Sequence, residues 1–379
     1  METQAPIAPG GYRGMVVYIY GFDVAYELVR RPIGQLLGQS VAQFAVDSSK
    51  RSPRQLFFYR AQMVRLPALE RIGPTGPLRL ERTVKIFPVG AISITVRVGF
   101  HVEHIQDLVA YHDLRFSTGD GLYDEVRRLA EDVRRELAQY AVRPVERLGE
   151  EEAYTVFCIT SPLAGPDGKR VGVEPWLATH RRSVASLLTE ETDPDHLSNQ
   201  ESDASTNKFF SYYDHDLVVI DWDAALVIDE ARYIDEILYL MELANLQLAE
   251  LEAYDQLLDD VVDRSYRDLG LRSWRRRQGR RTLHELREIR VDLARLSDEL
   301  SNITKFFGDW HLARIYQGMS SRFHLGDWHH TIDEKLNTLG DLYQLLQADR
   351  NERWMFLLEV TVVVLIVIEL VVAVLSLRH

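Results

Sequence analysis

An unbroken apolar run near the carboxyl end constrains this chain more than any other feature. From Trp354 to Leu377 the sequence reads WMFLLEVTVVVLIVIELVVAVLSL, and its only charged residues are Glu359 and Glu369. At about 1.5 Å per residue, a helix of this length spans the roughly 30 Å hydrocarbon core of a bilayer. The run is apolar on every face, unlike a helix on the surface of a globular domain. The sequence therefore predicts a single C-terminal transmembrane helix over residues 354–377.

The amino-terminal end carries no export signal. METQAPIAPGGYRG has no basic segment before an apolar core, and the first apolar stretch, Met15–Phe22, has the length of a strand. The N-terminal domain is therefore expected in the cytoplasm, and Arg350 and Arg353 before the predicted span agree with that orientation. The single cysteine, Cys158, excludes an internal disulfide, as expected for a reducing compartment.

Composition places the rest of the chain among globular proteins. The 379 residues exceed what one compact core usually spans, and 46% of them are hydrophobic. The 57 acidic side chains outnumber the 44 basic ones, which gives a net charge of -13. Because a generic nucleic-acid binder is coated in positive charge, this balance argues against that class for the chain as a whole.

The first half alternates strand-like and helix-like segments. β-Branched and aromatic residues predict strands at Met15–Phe22, Gln55–Val64, Leu78–Phe87 and Ile92–Phe100. Apolar residues at helical spacing predict helices at Leu122–Tyr140 and Glu174–Leu188. The polar stretch from Thr189 to Asn207 is interpreted as a loop. These patterns predict an α+β protein, with a flexible N-terminus at 1–14 and an α/β domain over 15–223.

The second half is predicted to be helical. After Ala224 no strand-like segment returns, and an apolar stripe from Asp229 to Leu269 indicates one long helix. The last stripe before the apolar run lies close to a heptad seam and consists of Ile332, Leu336, Leu339, Tyr343 and Leu346. We expect a long-helix stalk domain over 224–353 in which these side chains pack and the protein self-associates as a homo-oligomer.

Several residue pairs in the C-terminal third follow a family pattern. Phe306-Phe307 and Leu336-Asn337 are followed by Leu358-Glu359 and Ile368-Glu369. Over residues 215–375 the chain resembles the YagE/Rmd family, which includes fungal proteins required for meiotic nuclear division and a mitochondrial inner-membrane relative. The family's His-Ala-x-Ala-Gln-Ser stretch is replaced here by DHDLVV at 214–219. The resemblance implies a non-enzymatic, membrane-anchored scaffold or assembly factor, in a bacterial inner membrane or the mitochondrial inner membrane.

Glu359 and Glu369 are the candidate site within the apolar run. A carboxylate inside a bilayer needs a partner or a proton, because its burial costs a few kcal/mol, about 2.5–3.5 on insertion scales. Their spacing is close enough for them to share one helix face. The favoured role is association with another membrane helix, and an ion or proton path is the alternative.

The only concentrated positive charge lies between the predicted helices. The cluster consists of Arg272, Trp274, Arg275, Arg276, Arg277, Arg280 and Arg281. It suits anionic lipid headgroups or, as the less favoured ligand, RNA phosphates, with the tryptophan at the interface or stacked on a base. A solvated turn whose arginines pair with neighbouring acids explains the same pattern. The protein partner is left open.

Two other function classes compete with the scaffold. Long helices leading to a membrane segment resemble CorA-type divalent-cation channels, but Gly318-Met319 is followed by Ser320 instead of the Asn of their loop. A membrane-tethered hydrolase or nuclease would use the acidic cluster Asp214–Asp223, which holds Asp214, Asp216, Asp221 and Asp223 around His215. The sequence carries no H-E-x-x-H motif and no dinucleotide fingerprint, so neither a metal nor a cofactor is predicted.

Overall fold

The chain, seen in a computed structural model, forms two compact units. The structure describes residues 11–28, 32–44, 61–73, 76–164, 169–270, 287–291 and 310–376, without the helical side chains of 264–270, 342–358 and 369–376. The first unit comprises 1–253 and 296–328, and the second comprises 254–295 and 329–379.

The first unit contains many β-strands, and the first of them begins one residue after the first described residue. The first seven are β1 Tyr12–Asp23, β2 Ala25–Leu28, β3 Gln35–Leu36, β4 Gln39–Ser40, β5 Ala42–Gln43, β6 Gln62–Arg65 and β7 Leu69–Gly73. Seven more follow: β8 Gly76–Ile86, β9 Ala91–Val102, β10 Ala141–Pro144, β11 Glu152–Ile159, β12 Phe209–Phe210, β13 Leu217–Ile220 and β14 Ala224–Ile228.

Ten of these strands form one mixed sheet. Their order is β12-β13-β14-β11-β1-β9-β8-β6-β5, with β7 also paired to β8. β11 and β14 run parallel, with Thr155 opposite Ala224 and Ile159 opposite Ile228. The other described pairs in this sheet are antiparallel. The predicted strands at Met15–Phe22, Leu78–Phe87 and Ile92–Phe100 are therefore confirmed as parts of one sheet, whereas residues 55–60 of the predicted strand Gln55–Val64 lie outside the described residues.

β1 shows why the sequence of the central strands is continuously apolar. Val16 and Tyr18 belong to the main core on one face, while Val17 and Ile19 point to the other face and are also fully buried. A strand covered on both faces has no solvent side, so its residues do not alternate between apolar and polar.

The helices of the first unit cover both faces of the sheet. They are α1 Leu122–Leu137, α2 Val173–Leu188, α3 Asn199–Thr206, the first part of α4 Ala231–Gly270, and α5 Trp310–Arg322, besides short 3-10 helices at 105–111, 138–140 and 194–196. α1 and α2 pack on the main core through residues such as Val126, Val133, Trp176 and Leu187.

α4 lies on the opposite face and contacts polar as well as apolar residues. Arg97 of β9 pairs with Asp235 at 2.7 Å, and the side-chain amide of Asn245 donates to the carbonyl oxygen of Glu152 at 2.9 Å. α5 joins this layer, where Tyr316 donates a 2.5 Å hydrogen bond to Gln247. The first unit is thus a sheet between two helical layers, and the mixed α+β class is confirmed.

α3 falls inside the segment interpreted as a loop. Its first turn is capped by Ser198, whose hydroxyl accepts from the Glu201 N–H at 3.0 Å. Ser at the cap with Glu three residues later is a known start signal for a helix. The polar composition of the stretch concealed this signal, because α3 buries only Ser202, Ser205 and Thr206.

The second unit is helical in its described part. It contains the end of α4, residues 287–291, and α6 Leu325–Ser376 from residue 329 onward. Ile332, Leu336 and Leu339 are buried on α6, as are Leu258 and Val261 on α4. Lys335 donates to Asp255 at 2.6 Å and to Asp259 at 2.7 Å.

The prediction of a transmembrane helix requires correction. Within the part of the chain that the structure describes, no helix is both long enough and apolar enough to cross a bilayer. The described side chains of the apolar run are those of residues 359–368. The transmembrane assignment of 354–377 and the single-pass membrane localisation are therefore wrong.

Candidate functional site

A small pocket lies at the carboxyl ends of the parallel strands β11 and β14. Because parallel strands end at the same edge of a sheet, the segments that follow them meet there, and such edges are common ligand sites. Thr160 and Ser161 follow β11, while Asp229 and Glu230 follow β14. The pocket has a volume of about 70 Å³. We define the edge pocket by its polar lining residues, which are Thr160, Ser161, Arg170, His215, Asp229 and Glu230.

The wall after β11 is fixed to the start of β1. The backbone N–H groups of Thr160 and Ser161 both donate to the carbonyl oxygen of Arg13, at 2.9 and 3.2 Å. In return, the Arg13 N–H donates to the Ser161 hydroxyl at 3.1 Å. These bonds hold the two hydroxyl-bearing residues in place before any ligand arrives.

The wall after β14 carries a carboxylate in an unfavourable setting. Asp229 is half-buried, its N–H donates to the Ile159 carbonyl at 3.2 Å, and its Oδ1 accepts from the Glu230 N–H at 2.7 Å. Burial raises the pKa of Asp229 to about 6, and the nearby Asp216 carboxylate adds to the shift. His215 and the Glu230 N–H act in the opposite direction. Among the described residues, no Lys or Arg forms an ion pair with Asp229.

Arg170 brings a positive charge to the same pocket. It lies next to Val171, whose N–H donates to the Leu163 carbonyl at 3.0 Å, and its backbone forms an isolated antiparallel bridge with Ala164. The side chain is exposed, and it forms no ion pair with any residue in the described ranges. Glu230, by contrast, already pairs with Arg232 at 2.8 Å.

The third wall comes from the turn that precedes β13. His215 lines the pocket, and its ring stacks on Tyr213 with centroids 5.4 Å apart. The turn is held by the buried carboxylate of Asp216, which accepts from the Tyr212 N–H at 2.9 Å and also from the Tyr213 N–H. His311 of α5 lies 3.6 Å from the same carboxylate. Asp216 therefore positions the turn, and His215 is the residue that reaches the pocket.

The acidic cluster Asp214–Asp223 is divided between the two ends of β13. Asp221 is buried at the far end, where it pairs with Arg322 and accepts from the Trp222 N–H at 2.9 Å. Asp214 and Asp223 are exposed. Because a four-residue strand separates Asp216 from Asp221 by about 13 Å or more, the cluster does not form one catalytic centre. The membrane-tethered hydrolase interpretation is corrected accordingly.

Several residues of the sequence-based site predictions lie elsewhere. The arginine cluster, from Arg272 to Arg281, lies outside the described residues, as do the side chains of Tyr343, Leu346 and Glu369. Glu359 is exposed. Ile332, Leu336 and Leu339 are buried within one chain. The helix association, the lipid or RNA contact and the homo-oligomer stay predictions.

Other reactive side chains of the described part have structural surroundings. Cys158 is buried in β11, and burial raises the pKa of its thiol, so it is not a reactive thiolate. His104 precedes the 3-10 helix at 105–111 as its N-cap residue, and its backbone N–H donates to the Asp107 carboxylate at 3.0 Å. No group of three or more potential ligands for a metal ion occurs among the described residues.

Sequence reasoning missed most of the edge pocket. His215 was named within the acidic cluster, but Ser161, Arg170 and Asp229 were not singled out. Asp229 was assigned to the start of a helix, next to the true start of α4 at Ala231. Its proximity to Ser161 depends on the parallel pairing of β11 and β14, which no local pattern encodes.

Comparisons with known proteins identify one family. The family model described as "Uncharacterized protein MJ0711, N-terminal domain" matches residues 13–234. The uncharacterized protein MJ0711 of Methanocaldococcus jannaschii is 22% identical over 227 residues, which cover 59% of this chain and 66% of that relative. The match thus spans just under two thirds of the relative's length. No solved structure matches this chain.

These matches correct the resemblance to the YagE/Rmd family, because they indicate a different family and nothing supports the first one. The pairs that carried the resemblance, such as Leu358-Glu359, are short and widely separated in the chain, so they do not specify a family. With the transmembrane helix also corrected, the membrane-anchored scaffold and the CorA-like channel are withdrawn as functions.

Proposed function

Since the chain belongs to the family of the MJ0711 N-terminal domain, we propose that its sheet domain binds a small polar organic molecule in the edge pocket. Asp229 is the main support for this proposal. It is a half-buried carboxylate on the wall of a preformed pocket, and it has no ion-pair partner in the described part of the chain. Burying a charge without a partner is costly, and a ligand that supplies the partner recovers that cost.

Location supports the same proposal. The pocket lies where two parallel strands end, and it lies inside the region that the family model matches, residues 13–234. Its walls are held by hydrogen bonds to β1 and by the Asp216 carboxylate, so little ordering accompanies binding. Preformed walls lower the entropic cost of capturing a small molecule.

The pocket also combines the two kinds of lining that small-molecule sites use. Leu163, Val171 and Ile228 supply apolar surface, and a few hydroxyl and charged groups converge between them. Sites of this kind take their affinity from burial and their specificity from the polar groups. A pocket of about 70 Å³ restricts the enclosed part of the ligand to a few non-hydrogen atoms.

The test is a thermal-shift screen of the full-length chain. The panel contains amino acids, polyamines, short mono- and dicarboxylates, sugars and nucleotides, each at millimolar concentration. A ligand of the edge pocket raises Tm in a concentration-dependent way, since a molecule that binds only the folded state stabilises it by about 2.7 kcal/mol at a hundred times its Kd. The Asp229→Asn variant should lose this rise, because the amide keeps the hydrogen bond from Glu230 but not the charge.

The matched control is Asp195→Asn, at an aspartate that is 92% exposed and lies on the 3-10 helix at 194–196. It should respond to each ligand as the unmodified chain does. A screen in which no compound raises Tm, or in which Asp229→Asn responds like the unmodified chain to every compound, would contradict the proposed function.

A further inference from the structure

Two opposite charges line the edge pocket without neutralising each other. Arg170 and Asp229 both contribute to its walls, and in the described part of the chain neither takes part in an ion pair. On the basis of the proposed function, we propose that the pocket binds a compact zwitterion of the α-amino acid class, with the ligand carboxylate on Arg170 and the ligand ammonium group on Asp229.

The charges favour a zwitterion over a singly charged ligand. An anion bound to Arg170 places a second negative charge near Asp229 and Glu230, while a cation bound to Asp229 leaves the guanidinium without a partner. A ligand that carries both charges satisfies both groups. The guanidinium is planar and matches a carboxylate through two parallel hydrogen bonds, which favours a carboxylate at that position.

The state of Asp229 agrees with an ammonium partner. Its pKa is raised because the charged form lacks compensation, with burial as the main cause and Asp216 as a further one. An ammonium group at hydrogen-bond distance reverses this effect and donates to the oxygens that the Glu230 N–H leaves available. Thr160 and Ser161 add hydroxyl groups, which accept from an ammonium group or donate to a carboxylate.

The size of the pocket sets the class of amino acid. Its volume of about 70 Å³ is well below the roughly 300–1,000 Å³ of sites for drug-sized ligands. Leu163, Val171 and Ile228 provide an apolar wall for a short side chain. We therefore expect alanine, serine or glycine to bind better than phenylalanine or tryptophan.

The experiment is isothermal titration calorimetry of the full-length chain with L-alanine and with its two half-ligands, propionate and ethylamine. Alanine should bind at least tenfold more tightly than either half-ligand. Arg170→Gln and Asp229→Asn should each weaken alanine binding at least tenfold. Because Arg170 is exposed, its substitution tests the proposal even if the Asp229 variant folds poorly.

The control for Arg170→Gln is Arg79→Gln on β8, at an arginine that is 71% exposed and contacts Glu81 at 3.8 Å. It should bind alanine like the unmodified chain. If propionate or ethylamine binds as tightly as alanine, and Asp229→Asn weakens the binding of that half-ligand, the proposed pocket function stands and the zwitterion proposal is wrong. The zwitterion proposal is also wrong if none of the three compounds binds, or if Asp229→Asn and Arg170→Gln leave their binding unchanged. In that case the thermal-shift screen decides whether the pocket binds another small molecule.

Discussion

Lys85 of β8 and Glu242 of α4 form a buried ion pair that joins the sheet to the helix above it. The ammonium group donates to Glu242 Oε2, while the Thr95 hydroxyl lies 3.4 Å from Oε1. The Lys85 ammonium also lies 4.2 Å from the centroid of the Phe44 ring and 5.4 Å from that of Tyr239. Only 11% of the lysine side chain and 2% of the glutamate side chain are exposed.

Glu242→Gln should lower the free energy of unfolding by about 3–5 kcal/mol, because it leaves a buried ammonium group without its counter-charge. Urea denaturation followed by circular dichroism measures the change. The double variant Lys85→Met with Glu242→Leu removes both charges and should return to within about 1 kcal/mol of the unmodified chain. A double variant as unstable as Glu242→Gln would show that the pair contributes more than charge compensation.

Gly14 of β1 is a position where the sheet leaves no room for a side chain. A Cβ atom there would lie 1.8 Å from the carbonyl oxygen of Cys158 on β11. Gly14→Ala should therefore cost about 3 kcal/mol, since the strands must separate to admit it. The control Gly149→Ala has no neighbour within 4 Å and should change stability by less than about 0.5 kcal/mol. Similar stabilities of the two variants in urea would contradict this reading of the β1–β11 contact.

Glu152 at the start of β11 makes stability depend on pH. Burial and a hydrogen bond with Glu252 raise the pKa of Glu152 from 4.5 to about 9. The folded chain therefore holds a proton that the unfolded chain releases, so stability should be highest below about pH 4.5 for this group and fall as pH rises towards 9.

Glu152→Gln removes that proton equilibrium. Its Tm should decline less between pH 5 and pH 9 than the Tm of the unmodified chain, as differential scanning calorimetry would measure. Glu150→Gln, at an exposed neighbour, serves as the control and should keep the original slope. An unchanged slope in Glu152→Gln would mean that the two carboxyl groups do not share a proton.

Ligand binding at the edge pocket should weaken in acid. Asp229 has a pKa of about 6, so below that pH the folded chain binds a proton that the ligand must displace. His215, Asp216, Glu230 and Arg170 are the charged groups around it. We expect the affinity for alanine to fall roughly tenfold from pH 8 to pH 5, because protonation of Asp229 multiplies Kd by a factor of 1 + 10^(pKa − pH), where pKa is that of Asp229.

Calorimetric titrations at pH 5, 6, 7 and 8 measure this dependence. Any residual binding to Asp229→Asn should vary much less with pH, since the amide does not titrate. Binding to the unmodified chain that is stronger at pH 5 than at pH 8 would contradict the ammonium contact at Asp229.

Local sequence patterns predicted the helices and strands whose buried residues recur at a regular spacing along the chain. The stripe of α1, with Val126 and Val133, and the apolar run of β1 both follow from burial against the same core. These features depend on residues close in sequence or on a repeated period, which a pattern can express.

The edge pocket depends on contacts that are distant in sequence. Ser161 and Asp229 line the same pocket because β11 pairs with β14 in parallel, and Arg170 joins that pocket next to its antiparallel bridge with Ala164. The apolar run at 354–377 shows the opposite error, since a strong local pattern was given a role that the described helix does not support. Composition predicts that a segment is apolar, whereas its role depends on what surrounds it.

The most direct test of the central claim is a crystal structure of the full-length chain grown with L-alanine. We expect alanine in the edge pocket, with its carboxylate within hydrogen-bond distance of the Arg170 guanidinium and its ammonium group within that distance of an Asp229 carboxylate oxygen. An edge pocket without alanine at a concentration that saturates the chain in solution, or alanine bound away from both residues, would contradict that claim.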